Sequence, residues 1–450
     1  MKLDIKEADK IRVGIGFVTG RKNFKKVIKT YVENWGEYGH RKNKKIELHV
    51  IIAYDLNYTN AEKEDFIEVE DEINEFIDSV NFISDSDGKD LIRILNKSGL
   101  ITNEEGNLVF GEGYGRKRNL ISYWAIQNNI DYLLFIDDDE YPIAPAKILS
   151  DKLTWLGQNV LGTHLEHIKN ANITAGYHCG YISPIPYIEF NEKISENDFK
   201  VFIEAISNDI VNWESIKSKL EEGKGATFAD MNVLLNSQSK EIDEEFGGKW
   251  IAGSNVCLNL TKPESLPPYY NPPGARGEDT FLSTCLSNLK VKRVPCYTFH
   301  DGFLKYQQIL SGVLPHKLNA IFPQEEMIKR RFIKACIGWV RYKPLLVYIT
   351  RRSAYSMEVS EIKIKLQKTV HILNSLFQTN EFNQVIKNFE LFDKNVKNHY
   401  DEFKRVQDYW YKIILHRDRV NQYDSRINNI QLQTFKKNID RNHIQTSNVI

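Results

Sequence analysis

The chain opens with apolar runs separated by polar, helix-patterned stretches. Residues 11–17 (IRVGIGF) and 46–53 (IELHVIIA) are continuous apolar runs without alternation, the pattern of strands buried on both faces. Between them, Thr19-Gly20-Arg21 marks a turn, and Asn23 sits where an N-cap would start a helix running to about residue 35. A polar helix is expected over about 61–80, a short strand over 80–83 and another helix near 90–95. The Gly-rich stretch GEGYGRKRN (111–119) then leads into a helix over about 117–128 and an apolar strand over 132–136. Strands alternating with helices predict an α/β protein with a mostly parallel, doubly wound sheet. In such sheets ligands bind in the crevice beyond the carboxyl ends of the strands.

Residues 190–250 are polar and mainly helical in pattern, which predicts an insertion over one face. Residues 250–260 (WIAGSNVCLNL) read as strand, followed by the turn-rich LPPYYNPPGARG (266–277) and a helix opening at GEDTFLSTCL. A strand over about 291–299 ends in His300-Asp301-Gly302. From about residue 358 the period is purely helical: Val359, Ile362, Leu366, Val370 and Leu373 step by three and four, as do Tyr400, Phe403, Val406, Trp410 and Ile413. The resulting division is an α/β unit over 1–320, a helical domain over 321–420, and a polar tail over 421–450 expected to be poorly ordered. The apolar helices of the C-terminal part also offer a surface for a homodimer.

Composition narrows the function classes. In 450 residues, Lys+Arg and Asp+Glu are equal at 60 each, so no basic signature points to nucleic acid. Five cysteines with no CxxC pair fit reduced thiols in a cytoplasmic setting. No apolar stretch reaches the roughly 18 residues of a spanning helix, and the first residues lack a signal-peptide core, so a soluble, cytoplasmic protein is expected.

The candidate chemistry begins where the strand LLFI (133–136) runs directly into Asp137, Asp138, Asp139 and Glu140. One aspartate after a strand is an ordinary turn former or cap. Four adjacent carboxylates repel one another unless a cation enters, and hard oxygen ligands suit Mg²⁺ or Mn²⁺. The triplet of histidines His164, His167 and His178 lacks the HExxH spacing, and THLEH looks like short strand, so these read as structural or acceptor-side side chains.

The segment GYGRKRNLISYWAIQNNIDYLLFIDDDEYP (113–142) resembles the core of GT-A-fold glycosyltransferases, particularly the family 2 type. The matching residues are Gly113, Gly115, Arg118, Asn119 and Ala125, followed by a DxD motif at Asp137 and Asp139. VGIGFVTGRKNFKKVIKTYVENW resembles the family's nucleotide-holding first strand and helix. GARGEDTFLSTCL resembles its acceptor-facing ED segment, and YTFHDGF the later histidine of the metal site. The resemblance covers about 10–305 and leaves 190–250 and the C-terminal third unmatched.

It implies a GT-A (Rossmann-like) fold and transfer of a sugar from a UDP- or GDP-linked donor to a carbohydrate or glycoconjugate acceptor, with Mn²⁺ or Mg²⁺ as cofactor. Asp139 would ligate the metal with His300, and Asp137 would contact the ribose or a metal-bound water. Asp138 is the variable middle position beside the nucleotide. Asp279 would be the base of an inverting transfer and Glu278 its orienting partner, in either order; alone, the pair also reads as the acidic first turn of a helix. Arg118 is open between a phosphate contact and an ion pair on the sheet, and Asp55 between a base or ribose contact and a plain turn. Thr19 and Arg21 are nucleotide contacts on similar terms, and Gly253 lies on a strand that lets a sugar approach the backbone.

Residues 329–352 carry eight basic and no acidic residues interleaved with apolar ones, which fits either peripheral contact with the inner face of a membrane or a buried linker helix. Pro344 speaks against one continuous helix there. Two rival functions remain. A sugar-phosphate nucleotidyltransferase would carry a more Gly-rich loop after the first strand than VTGRKNFKK. A non-catalytic carbohydrate-binding or assembly module would have no need to keep Asp137, Asp139, Asp279 and His300 together.

Overall fold

The computed structural model describes residues 10–40, 45–57, 61–147, 152–192, 194–208 and 213–418. The predicted tail over 421–450 lies outside them. In chain order the first half comprises β1 (Ile11–Thr19), α1 (Phe24–Glu37), β2 (Ile46–Tyr54), α2 (Asp71–Phe76), β3 (Ser79–Ile83), α3 (Asp85–Lys97), α4 (Asn103–Phe110), α5 (Tyr114–Gln127), β4 (Tyr132–Phe135) and β5 (Glu140–Tyr141). Then follow β6 (Ile143–Lys147), β7 (Leu153–Gly157), α6 (Val160–His167), β8 (Ile173–Gly180), α7 (Glu196–Ile206), α8 (Trp213–Gly223), α9 (Met231–Leu234), β9 (Lys240–Glu241), β10 (Val256–Asn259), α10 (Glu278–Ser283) and β11 (Val291–His300). Four helices close the chain: α11 (Glu326–Thr350), α12 (Tyr355–Leu376), α13 (Asn383–Lys394) and α14 (Val396–Leu415).

The main sheet has the order β3-β2-β1-β4-β10-β8-β11-β5, with β9 beside β11. Strands β1 to β4, β8 and β11 run one way, and β5, β9 and β10 run the other. The chain first builds outward from β1 to β3 and then returns to lay β4 on the other side of β1. That reversal opens a crevice at the carboxyl ends of β1 and β4. Gly16 pairs with Phe135 in register, so Thr19 and the aspartates after β4 emerge side by side.

Helices cover both faces of the sheet. On one side α1 packs Phe24, Ile28, Tyr31 and Trp35 onto β1 and β2. On the other, α3, α4 and α5 join Trp410, Ile413 and Ile414 of α14 in a second apolar cluster. The insertion helix α7 buries Phe199, Phe202 and Ile206 against α11, α12 and α13. Most apolar positions of the C-terminal helices pack within the chain, while Met357, Ile364, Leu391 and Leu415 stay exposed. Phe382 is fully buried and meets the rings of Phe202, Phe332 and Phe377. Phe382→Leu should cost about 1–2 kcal/mol, from lost ring contacts and a small void. Urea denaturation read by fluorescence should show one transition shifted as a whole; a separate early transition for the C-terminal helices would contradict the shared core.

Several expectations need correction. The predicted helix over 61–80 is a short 3₁₀ turn, Lys63–Asp65, followed by the two-turn α2, because the polar stretch has little apolar face to bury. The strand expected over 250–260 narrows to β10, and α4 was missed although Thr102 and Glu105 form a capping box at its start. THLEH lies in α6, not in strand. Pro344 sits inside a continuous α11. Burial of Val340, Leu345, Leu346 and Val347 around it outweighs the roughly 3 kcal/mol a helical proline costs. Phe332, Ile333, Val340 and Val347 of the basic segment 329–352 likewise face the protein interior.

Candidate functional site

The turn after β4 is electrically balanced by side chains distant in sequence. Asp137 accepts from the Tyr114 hydroxyl at 2.7 Å and from Arg118 Nη2 at 3.0 Å. Asp138 accepts from Thr19 Oγ1 at 2.5 Å and Arg21 Nη1 at 2.6 Å. The same Arg21 nitrogen is 2.8 Å from Asp139 Oδ2, and His300 Nε2 is 3.5 Å from Asp139 Oδ1. Glu140 accepts from Ser254 at 2.5 Å and Thr298 at 2.8 Å, and its Oε1 lies 3.3 Å from His178 Nε2.

Each acid titrates according to its neighbours. Burial pushes Asp138 up to about 7 despite Arg21, with Asp139 beside it adding repulsion. For Asp139 burial also acts upward, but His300 and Arg21 outweigh it and hold the group near 2. Burial raises Asp137 as well, and Arg118 offsets only part of that rise. Glu140 ends below its ordinary value, because His178 and its hydrogen bonds overcome burial.

Arg118 joins this turn to a second carboxylate group. It is 1% exposed, and its guanidinium lies against the rings of Phe135 at 4.8 Å, Tyr114 at 5.0 Å and Tyr269 at 5.5 Å. Its Nε is 3.8 Å from Glu278 Oε1, and both Nε and Nη1 are buried without a hydrogen-bond partner. Two unmatched N–H groups of a buried cation are costly unless an acceptor completes them.

Glu278 and Asp279 open α10. Gly277 caps that helix at φ +91°, where a Cβ would stand 2.8 Å from the Tyr342 ring, so the start of α10 requires glycine. Asp279 Oδ1 accepts from the Thr280 N–H at 2.8 Å. A Cβ at Gly253 would come within 3.2 Å of Arg118 Nη2 and 3.5 Å of Glu278 Oε1, so glycine keeps the floor of the crevice low there. Burial, reinforced by Asp279, raises Glu278 to about 7; Asp279 is raised too, chiefly by burial.

Among the predicted site residues, Thr19, Arg21, Arg118, Asp137, Asp138, Asp139, Gly253, Glu278 and His300 are joined by direct contacts around the turn after β4, with Asp279 next to Glu278. Asp55 also follows a strand of that edge, but its carboxylate accepts from the Asn57 N–H at 2.9 Å in a local turn. Sequence reasoning singled out Glu140 as the fourth acid and His178 as a structural or acceptor-side histidine but missed that they pair with each other and with Ser254 and Thr298; it also missed Tyr114 and Lys117, which is buried on Asp85 and the Tyr54 carbonyl. Lys117 stands in the quoted GRKRN stretch, and its basicity beside Arg118 was the available signal. His164 is a core side chain, bonded to Thr174 and Asn255 and lowered to about 4 by burial.

Among the described residues no three His, Cys, Asp or Glu side chains converge as a metal cage. The pair Asp139–His300 nevertheless fits a divalent ion completed by substrate oxygens. Ligand atoms at right angles on an ion with bonds of about 2.1 Å stand roughly 3 Å apart, close to the spacing of Asp139 Oδ1 and His300 Nε2. His300 Nδ1 donates to the Tyr181 carbonyl at 2.5 Å, which orients the ring with Nε2 on the side of Asp139, where a bound metal would take the place of the Nε2 proton. An open groove over the α12–α13 turn, lined by His371, Asn374, Gln378 and Asn383, has no Lys, Arg or carboxylate to hold a phosphate or a metal. No helix among the described residues is long and apolar enough to cross a membrane. No protein-family model and no curated protein matches the chain.

Proposed function

We propose that the chain is a GT-A-type glycosyltransferase that moves a sugar from a nucleoside-diphosphate donor to a hydroxyl acceptor, with inversion at the transferred carbon. The observation that carries this reading is the pairing, in one crevice, of Asp139 and a correctly turned His300 with the Arg118-linked carboxylates Glu278 and Asp279. Bound Mn²⁺ or Mg²⁺ on Asp139 and His300 would act as a Lewis acid on the departing diphosphate.

The chain's own residues account for the rest. Arg118 offers the unmatched Nε and Nη1 N–H groups to donor oxygens, and Asp137 orients that guanidinium. Asp279 takes the proton of the attacking hydroxyl, while Glu278 hydrogen-bonds and aligns the acceptor. The covering rings of Tyr114 and Tyr269 exclude water from the guanidinium, so each hydrogen bond it makes is stronger than in bulk solvent.

The test is an equilibrium binding and hydrolysis screen of UDP- and GDP-sugars with and without Mn²⁺. One donor class should bind in the presence of Mn²⁺, and Asp139→Ala should weaken that binding by about 10²-fold, in line with loss of a charged ligand. If no nucleotide sugar binds with or without Mn²⁺, the proposal is wrong.

A further inference from the structure

We infer that Arg21 is a resident counterion of the acidic turn, which keeps a free divalent ion out of the site until a diphosphate arrives with it. This builds on the glycosyltransferase reading above. The residue comes from the loop between β1 and α1, and its backbone N–H is tied to Thr19 Oγ1 at 3.1 Å. Its side chain reaches inward to 15% exposure and places one nitrogen, Nη1, between Asp138 and Asp139. Asp139 is therefore shared: Oδ2 faces the guanidinium and Oδ1 faces His300.

A metal ion on Oδ1 would stand only a carboxylate's width from that fixed positive charge, in a place where screening by water is weak. Metal alone must compete with Arg21 for the negative charge of Asp139. A diphosphate changes the balance, because its oxygens can accept the guanidinium while also completing the metal's ligand set. Asp138 has a defined part here. With Thr19 it holds Arg21 in the free state, a role that explains a buried carboxylate at the middle of the turn. Metal and diphosphate should then bind with strong mutual coupling, each raising the affinity for the other.

The experiment measures Mn²⁺ binding by electron paramagnetic resonance, without nucleotide, for the wild-type chain, Arg21→Gln and Arg21→Lys. Each is titrated with and without inorganic pyrophosphate against protein-free controls, and thermal melts verify that each variant folds. Arg21→Gln should bind Mn²⁺ alone about tenfold more tightly than wild type, whereas Arg21→Lys, which keeps the charge, should stay near wild type. Pyrophosphate should tighten Mn²⁺ in the wild type and do so far less in Arg21→Gln.

Equal or weaker Mn²⁺ binding by Arg21→Gln overturns the inference. If the wild type already takes up Mn²⁺ tightly without pyrophosphate, and Asp139→Ala loses it, the counterion role falls while the glycosyltransferase reading stands. If Mn²⁺ binds to no form under any condition, both fall together.

Discussion

Replacing Asp279 by asparagine should leave Mn²⁺-dependent donor binding intact while turnover falls by about 10²–10⁴-fold, the usual contribution of a positioned base. Asparagine keeps the size of the side chain and the hydrogen bond from the Thr280 N–H but cannot accept a proton. Glu278→Gln should cost less in kcat and more in KM for the acceptor, because that side chain aligns the substrate. Steady-state kinetics on both variants separates the roles; the opposite split would make Glu278 the base.

The pH profile gives an independent check. Glu278 is raised to about 7 from an ordinary 4.5, first by burial and then by Asp279. Glu278 is charged only above that value, so the wild-type rate should rise with pH through about 7, and Glu278→Gln should lose that inflection. Stability has the opposite slope. The unfolded chain releases this proton near 4.5 while the folded chain holds it until about 7. The resulting penalty is absent below 4.5, grows across the interval and is complete above 7. Glu278→Gln should therefore stabilise the protein at pH 8 relative to its effect at pH 4, as read from urea midpoints at the two pH values.

Glu140→Ala should be the most damaging single change to the fold near the crevice, lowering stability by about 3–5 kcal/mol. Glu140 is 2% exposed and completes three partners at once: the Ser254 and Thr298 hydroxyls and the His178 ring. Its removal strands His178 without its anion and leaves the buried Thr298 hydroxyl unmatched, while Ser254 keeps only its 3.3 Å contact with His178 Nε2. Glu140 also pairs with His300 in the β5–β11 register, and the Asp301 N–H donates to the Asp139 carbonyl at 2.8 Å. The damage should reach His300, so Mn²⁺ affinity in the presence of pyrophosphate should drop as well. Guanidinium denaturation with a shift below about 1 kcal/mol would show that Glu140 is not the keystone of this corner.

Much of the α/β part is legible in the chain because buried parallel strands must be continuous apolar runs. IRVGIGF, IELHVIIA and YLLF leave few alternatives, and the acidic turn follows the last of them directly. Helix α4 and the 61–80 stretch were misread because a short helix is stabilised by packing more than by its own pattern. Pro344 was misread because a local rule about proline carries no information about the core that surrounds α11.

Sequence by itself determined strands β1 to β4, β10 and β11, and placed the candidate site residues at or beyond strand ends and at the start of α10, while β5 to β9 were legible only in the fold. Tertiary structure alone decided which charges meet. The question raised by four adjacent acids is answered by Arg118, 19 positions from Asp137, Arg21, 117 from Asp138, His178, 38 from Glu140, and His300, 161 from Asp139. Coulomb interactions depend on distance in space and on burial, and neither quantity is written in local sequence.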